Sequence, residues 1–363
     1  MADAQQHQVA IVGCGIIGRT HADTIAARPD ATVTALVDID AGAAEALAAR
    51  LKEAGQPEPK LYADLAAAVS GSDVTVVAIC TPSGTHAGLA EQALNEKKHV
   101  VIEKPLDVDL NLGRRLGAAA SRAASHGLVC SVISQHRFDA GSAVVKQAID
   151  AGRFGQLTSC VATVAWWRSD EYYAMAGWRG TWALDGGGAL MNQGVHTVDL
   201  MLWFMGRPVS IQAQALRAAH HSIEVEDTVV ATLTFESGAV GTLHATTAAF
   251  PGGRTRVSVH GTEGGAEVED DLLSRLNVDG VKDEASIDVG EPGQHTAQYD
   301  DILTAIAEGR PPAITVQDAI EALATVRAVY IASTLQRPVK FQDVLEGRYD
   351  DVEVSRGVGL PPN

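Results

Sequence analysis

The chain opens on an alternation of two hydrophobic patterns. Short runs of apolar, mostly β-branched residues occupy the V-A-I-V before Gly13, then 31–37, 74–80, 99–102 and 128–134. Between them, apolar residues recur every three to four positions near 43–54, 86–95 and 110–126. Continuous apolar runs read as strands buried on both faces, and the longer periodic stretches read as amphipathic helices. Strand and helix in strict alternation predict a doubly wound parallel sheet of the α/β class.

The pattern changes after Q-H-R-F at 135–138. A helix is expected over 143–151, ending at Gly152, and strand-like segments then dominate at 157–167, 209–216, 227–235, 239–247, 254–260 and 265–269. Turns such as E-S-G and T-E-G-G join several of them, which predicts an α+β domain with a large, open, mostly antiparallel sheet. Helices over 296–308 and 316–335 follow, and the charged stretch 341–363 reads as a C-terminal tail or arm. The expected boundaries are 1–130 for a cofactor domain, 131–340 for a substrate-binding and oligomerisation domain, and 341–363 for the tail.

Composition narrows the partners. A formal net charge of -17 over 363 residues, with no local basic patch, argues against nucleic acid and anionic membrane. The opening M-A-D-A-Q-Q-H-Q shows no cationic segment with an apolar core, and no apolar run is long enough to span a bilayer, so a cytoplasmic protein is expected. Cys14, Cys80, Cys130 and Cys160 form no C-x-x-C pair and read as small buried hydrophobes in a reducing compartment.

Candidate chemistry begins at G-C-G-I-I-G, residues 13–18. Gly13 permits the tight turn, Gly15 lets a pyrophosphate approach the backbone, and Gly18 lets the helix lie close on the strand, while Ile16 and Ile17 open that helix. Asp38 ends the second strand about twenty residues on, where it would accept hydrogen bonds from an adenosine ribose. With Ile39 and Asp40 following and no Lys or Arg beside it, NAD is favoured over NADP. The other reading of Asp38 is a cap on the helical segment starting at Ala41. Thr81, Pro82 and His86 lie in T-P-S-G-T-H, a loop leaving another strand end toward the nicotinamide half of the crevice. Thr85 reads as a helix cap there. In H-V-V-I-E-K-P-L, 99–106, a buried strand runs directly into Glu103, Lys104 and Pro105. Ligands bind at that end of such sheets, although a solvated lysine is the plainer reading by position alone.

In the second half, G-G-G-A-L-M-N-Q-G-V-H-T-V-D-L-M-L-W-F, 186–204, reads as a helix opened by glycines. Asn192, His196 and Asp199 then fall on one polar stripe, giving an imidazole with an amide and a carboxylate able to orient it. Just before it, W-W-R-S-D-E-Y-Y-A-M-A-G-W-R-G-T-W holds Trp166, Arg168, Tyr172, Trp178 and Arg179, whose aromatic faces and polar donors suit a sugar ring, or alternatively pack a long loop on the sheet. The run H-H-S-I-E-V-E, 220–226, lacks a metal-ligand spacing and reads as a solvated connection.

Taken together, G-C-G-I-I-G, E-K-P, G-R-F-G and G-G-G-A-L-M-N-Q-G-V-H-T-V-D-L resemble the glucose-fructose oxidoreductase, inositol dehydrogenase and MocA family, up to the R-P-V at 337–339. The resemblance implies an N-terminal Rossmann domain, a C-terminal α/β domain whose open sheet pairs subunits into homodimers or homotetramers, and a nicotinamide-dependent oxidoreductase acting on a sugar, sugar derivative or cyclitol. Carried over, Lys104, His196 and Asn192 are the catalytic set and no metal is required. Many inositol-type members have Asp where this chain has Asn192, while other members carry Asn. Two rivals stand beside this reading: a non-catalytic nicotinamide-binding regulator of the same fold, and a dihydrodiol-type dehydrogenase.

Overall fold

Six strands, β1 (His7–Val12), β2 (Ala31–Val37), β3 (Lys60–Tyr62), β4 (Val76–Ile79), β5 (His99–Ile102) and β6 (Cys130–Val132), pair in the order β3-β2-β1-β4-β5-β6. Every neighbouring pair is parallel. Val9, Ile11, Val76, Ile79, Val101 and Ile102 are fully buried, as strands covered on both faces must be. The order reverses between β1 and β4, and that switch point opens a crevice at the strand carboxyl ends. The computed structural model describes residues 6–278, 281–283 and 294–354. It divides into two compact units, the first comprising Met1–Asp107, Leu112–Ile133 and His295–Gln317.

Two features of this unit escaped the sequence pattern. Strand β3 is only three residues long and largely exposed, too short to show a period. The helix Gln294–Glu308 belongs here and not with the sheet preceding it in sequence, because Tyr299, Ile302, Leu303 and Ala305 share one core with Val9, Ile11 and Leu36. Its amphipathic period predicts an apolar face but not which sheet receives it.

The second unit holds β7 (Leu157–Ala165), β8 (Pro208–Leu216), β9 (Thr228–Phe235), β10 (Val240–Thr246), β11 (Thr255–Gly261), β12 (Gly264–Glu269), β13 (Leu272–Val278), β14 (Val281–Asp283) and β15 (Val339–Lys340). They run β14-β13-β12-β11-β7-β10-β9-β8-β15, with β7 and β10 parallel and every other pair antiparallel. Burial alternates along β8 and β9, so one face meets the helices and the other is open. The helix expected over 143–151 spans Ala140–Asp150. Phe341 and Val344 are buried in the short helix Phe341–Leu345, so the expected tail or arm begins as a packed helix. Its charges looked solvated because Arg348 pairs locally with Asp343 and Glu346. Residues 355–363 of that tail lie outside the described residues. All four cysteines are free and buried. No helix among the described residues is long and apolar enough to cross a membrane.

Candidate active site

The first unit builds a candidate cofactor site mainly from backbone. Gly13 has φ +94°, and a Cβ there would lie 2.7 Å from the Cys80 carbonyl carbon and 2.9 Å from the Thr81 nitrogen, so the loops leaving β1 and β4 touch at this glycine. A Cβ on Gly18 would come 2.0 Å from the Gly13 carbonyl oxygen, which is the close helix-strand approach the fingerprint predicts. Gly15 differs, because a Cβ there meets nothing within 4 Å. It caps the helix Ile16–Ala26 with no side-chain hydrogen bond, and it and Ile16 are exposed. That cradle fits a dinucleotide pyrophosphate. Ile16 is exposed, while Ile17 packs against the core.

Asp38 Oδ2 accepts the Cys14 N–H at 2.7 Å and Oδ1 accepts the Asp40 N–H at 2.9 Å. Each oxygen keeps a lone pair for a ribose hydroxyl. The cap on the next helix is Asp40, which accepts from the Gly42 N–H, so the capping alternative for Asp38 is overturned. Ile39 beside it is 98% exposed.

His86 is buried, with Nδ1 2.7 Å from the Pro105 carbonyl oxygen and Nε2 2.7 Å from that of Thr81. It fastens the loop carrying Thr81 and Pro82 to the E-K-P segment, whose Lys104–Pro105 bond is cis. The Thr85 side chain caps no helix, contrary to expectation, and its hydroxyl donates to Thr81 Oγ1.

Glu103 is a buried carboxylate held from three sides. His21 Nε2 lies 2.9 Å and His295 Nε2 3.1 Å from its Oε1, and the Lys104 N–H donates to its Oε2 at 3.0 Å. Burial opposes its ionisation, yet hydrogen bonds from both histidines and the nearby Lys104 charge hold it well below the usual carboxylate range. Burial lowers His21, which is therefore neutral; Tyr299 donates its hydroxyl to Nδ1 at 2.7 Å and Nε2–H faces the carboxylate. Sequence reading missed His21, His295 and Tyr299, which lie far from E-K-P along the chain.

In the second unit the helix of 186–204 begins differently from its pattern. Ala189–Gly194 is a π-helical turn and Val195–Met205 continues as α-helix. The widened turn holds Asn192, while His196 and Asp199 lie on the α-helix that follows. Asn192 Nδ2 donates to Asp185 Oδ1 at 2.6 Å, and Asp185 in turn accepts the Gly180 N–H. His196 meets the His136 ring edge to face at 4.8 Å. Arg137 donates to both oxygens of Asp199, at 2.6 and 2.8 Å, so Asp199 is an ion-pair partner.

The triple glycine is clamped by Glu226, which accepts from the Gly188 N–H at 2.8 Å, the Leu190 N–H at 2.9 Å and the Tyr330 hydroxyl at 2.9 Å. Burial pushes this carboxyl up to about 7, against the pull of those donors. The run 220–226 is thus no solvated connection. His220, Glu226 and Asp227 are buried, and Asp227 accepts from the N–H groups of Ala218, Ala219 and His220. The legible signal was the I-x-V alternation of Ile223 and Val225, which turns the segment inward.

Trp166, Gln193, His196, Leu200, His136 and Asp271 line one small cleft. Arg168 stacks on Trp166, and Tyr172 takes hydrogen bonds from Arg179 and Gln193. Trp178 stacks under Arg179. Two triads, His21–Glu103–His295 and His136–Asp139–Asp271, place possible metal-ligand atoms within 4.8 Å of one another. In each, the imidazoles already hydrogen-bond the carboxylates.

A family model described as "Oxidoreductase family, NAD-binding Rossmann fold" matches residues 7–134, and one described as "GFO/IDH/MocA C-terminal domain" matches residues 143–267. Inositol 2-dehydrogenase of Rhizobium meliloti is 29% identical over 263 residues, 71% of this chain and 74% of that protein. The 1-carboxy-3-chloro-3,4-dihydroxycyclo hexa-1,5-diene dehydrogenase of Comamonas testosteroni is 34% identical, over 46% of this chain and 41% of its own length. The crystal structure of the WlbA dehydrogenase from Bordetella pertussis, in complex with NADH and UDP-GlcNAcA, superposes with TM-score 0.81 at 28% identity, covering 93% of this chain and 99% of that one. With both halves matched, the chain belongs to the Gfo/Idh/MocA family of nicotinamide-dependent oxidoreductases.

Proposed function

We propose that this chain is a dehydrogenase that moves a hydride reversibly between nicotinamide and a secondary alcohol or ketone of a sugar, sugar derivative or cyclitol. One observation carries the reading: the chain keeps both an E-K-P lysine whose carboxylate neighbour is locked among buried partners and a helix histidine lining a cleft. His196 takes the hydroxyl proton as general base. Lys104 donates a hydrogen bond to the same oxygen and stabilises its developing negative charge. Asn192, itself fixed by Asp185, orients His196 or a neighbouring substrate hydroxyl. NAD, when bound, supplies the electrophilic ring that receives the hydride. Gly13, Gly15, Ile16, Ile17, Gly18, Asp38, Thr81, Pro82, His86, Glu103 and Lys104 form its binding surface, and Trp166, Arg168, Tyr172, Trp178 and Arg179 meet the substrate. The inositol and UDP-GlcNAcA relatives support a polyhydroxylated substrate. Asp38, with no Lys or Arg beside it in the sequence, supports NAD over NADP.

The open sheet face is the surface through which we pair subunits into a homodimer or homotetramer. In register across β8, β9, β10 and β7 run Gln212, Thr232, Thr242 and Val161, with Val230 and Val240 about half exposed; the same row continues through Ser258 to the charged pair Glu267 and Arg275. Four free buried cysteines suit a cytoplasmic location. The Comamonas relative favours a second reading, a dihydrodiol-type dehydrogenase. A panel of sugars, cyclitols, uronates and dihydrodiols with NAD and NADP, followed by absorbance of the reduced cofactor, separates the two. NAD binding without turnover of any of them would favour a non-catalytic regulator.

A further inference from the structure

Arg28, Arg137, Arg207 and Arg310 each pair with a carboxylate. Arg168 and Arg179 are different. Their guanidinium groups lie over aromatic rings, Arg168 at 4.7 Å from Trp166 and 5.1 Å from Tyr172, Arg179 at 4.4 Å from Tyr172 and 4.7 Å from Trp178. Their hydrogen bonds run to neutral acceptors, Arg168 to Gln193 Oε1 at 3.0 Å and Arg179 to the Tyr172 hydroxyl. The Nε of each is buried with no hydrogen-bond partner. The acidic side chains of the same region turn elsewhere among the described residues: Asp170 accepts from Ser222, Glu171 from Ser169 and Glu224 from the Trp182 N–H.

Stacking fixes the planar forks while leaving donors open, and a guanidinium so held is preorganised for a bidentate oxyanion. Location gives the pair its use, since Trp166 and Gln193, which hold Arg168, line the cleft that also contains His196. We infer that Arg168 and Arg179 form an anion subsite and that the oxidised sugar or cyclitol carries an oxyanion, either the carboxylate of a uronate or a phosphate ester. This rests on the dehydrogenase reading and narrows its substrate class.

The test uses matched ligands: glucose, glucuronate, glucose 6-phosphate and a nucleoside diphosphate-linked glucose, each with the full-length protein and NAD. At least one anionic member should exceed the neutral sugar by about 100-fold in kcat/KM. Arg168→Gln and Arg179→Gln should each cut that ratio about tenfold or more, mainly through KM, with partial rescue by Arg168→Lys and Arg179→Lys. Carboxylate and phosphate sources are told apart by which member wins. If the neutral sugar is turned over as well as its anionic partners, the subsite fails while the dehydrogenase reading stands. If nothing is turned over, calorimetric binding of glucuronate and glucose 6-phosphate decides: binding by the wild type that is lost in either folded Gln variant supports the subsite, and equal or absent binding overturns it.

Discussion

The two units use glycine for opposite purposes. In the first, Gly13 and Gly18 let backbone approach backbone so that Gly15 can face empty space. In the second, all three glycines of G-G-G are filled by the protein itself. A Cβ on Gly186 would lie 2.5 Å from the Val108 side chain, on Gly187 2.2 Å from the Tyr330 hydroxyl, and on Gly188 2.0 Å from the Glu226 carbonyl oxygen. A glycine that clears room for a ligand and one that clears room for a neighbouring residue look alike in sequence. They differ in whether the missing methyl would have met anything.

Substitutions sharpen that contrast. Gly188→Ala drives a Cβ into backbone that cannot yield, and should cost about 3–5 kcal/mol in the second unit. All five tryptophans lie in that unit, so urea unfolding followed by tryptophan fluorescence reads it selectively. Arg137→Ala strands Asp199 without its partner at 5% side-chain exposure and should cost about 3 kcal/mol by the same assay. Glu226→Gln removes a carboxyl whose folded pKa, about 7, stands above its unfolded value. The native state therefore binds the extra proton between those values, and this group's contribution, roughly 3 kcal/mol, is present at low pH and lost as pH rises toward 7. The wild type should lose stability relative to the Gln variant between pH 5 and pH 8, in parallel urea titrations. Gly15→Ala is the mildest for the fold, within about 1 kcal/mol because the added methyl meets nothing, yet it should weaken NAD binding about tenfold or more in a cofactor titration. A Gly15→Ala protein that binds NAD normally would break the contrast between the two kinds of glycine.

The same contrast explains what could be read from the chain alone. G-C-G-I-I-G, Asp38 and E-K-P announce themselves because each works through local backbone, at fixed offsets from a strand end. The parallel and antiparallel sheets were legible for the same reason, since period and apolar run length are local. The partners of Glu103 come from residues 21, 295 and 299, and no local pattern links them. Helix Gln294–Glu308 packed on the earlier sheet because its apolar face fits that core, a choice made by tertiary contact. The π-turn at Ala189–Gly194, set beside the Glu226 clamp and the filled glycines, likewise rests on tertiary contact that no helical period announces.

The proposed dehydrogenase role has Lys104 and His196 acting on one substrate oxygen. Pre-steady-state formation of the reduced cofactor, measured with the best substrate of the panel for the wild type, Lys104→Met and His196→Asn, tests it most directly. The account expects each variant to slow the chemical step by about 100-fold or more while NAD still binds. A chemical step at the wild-type rate in either variant would contradict it.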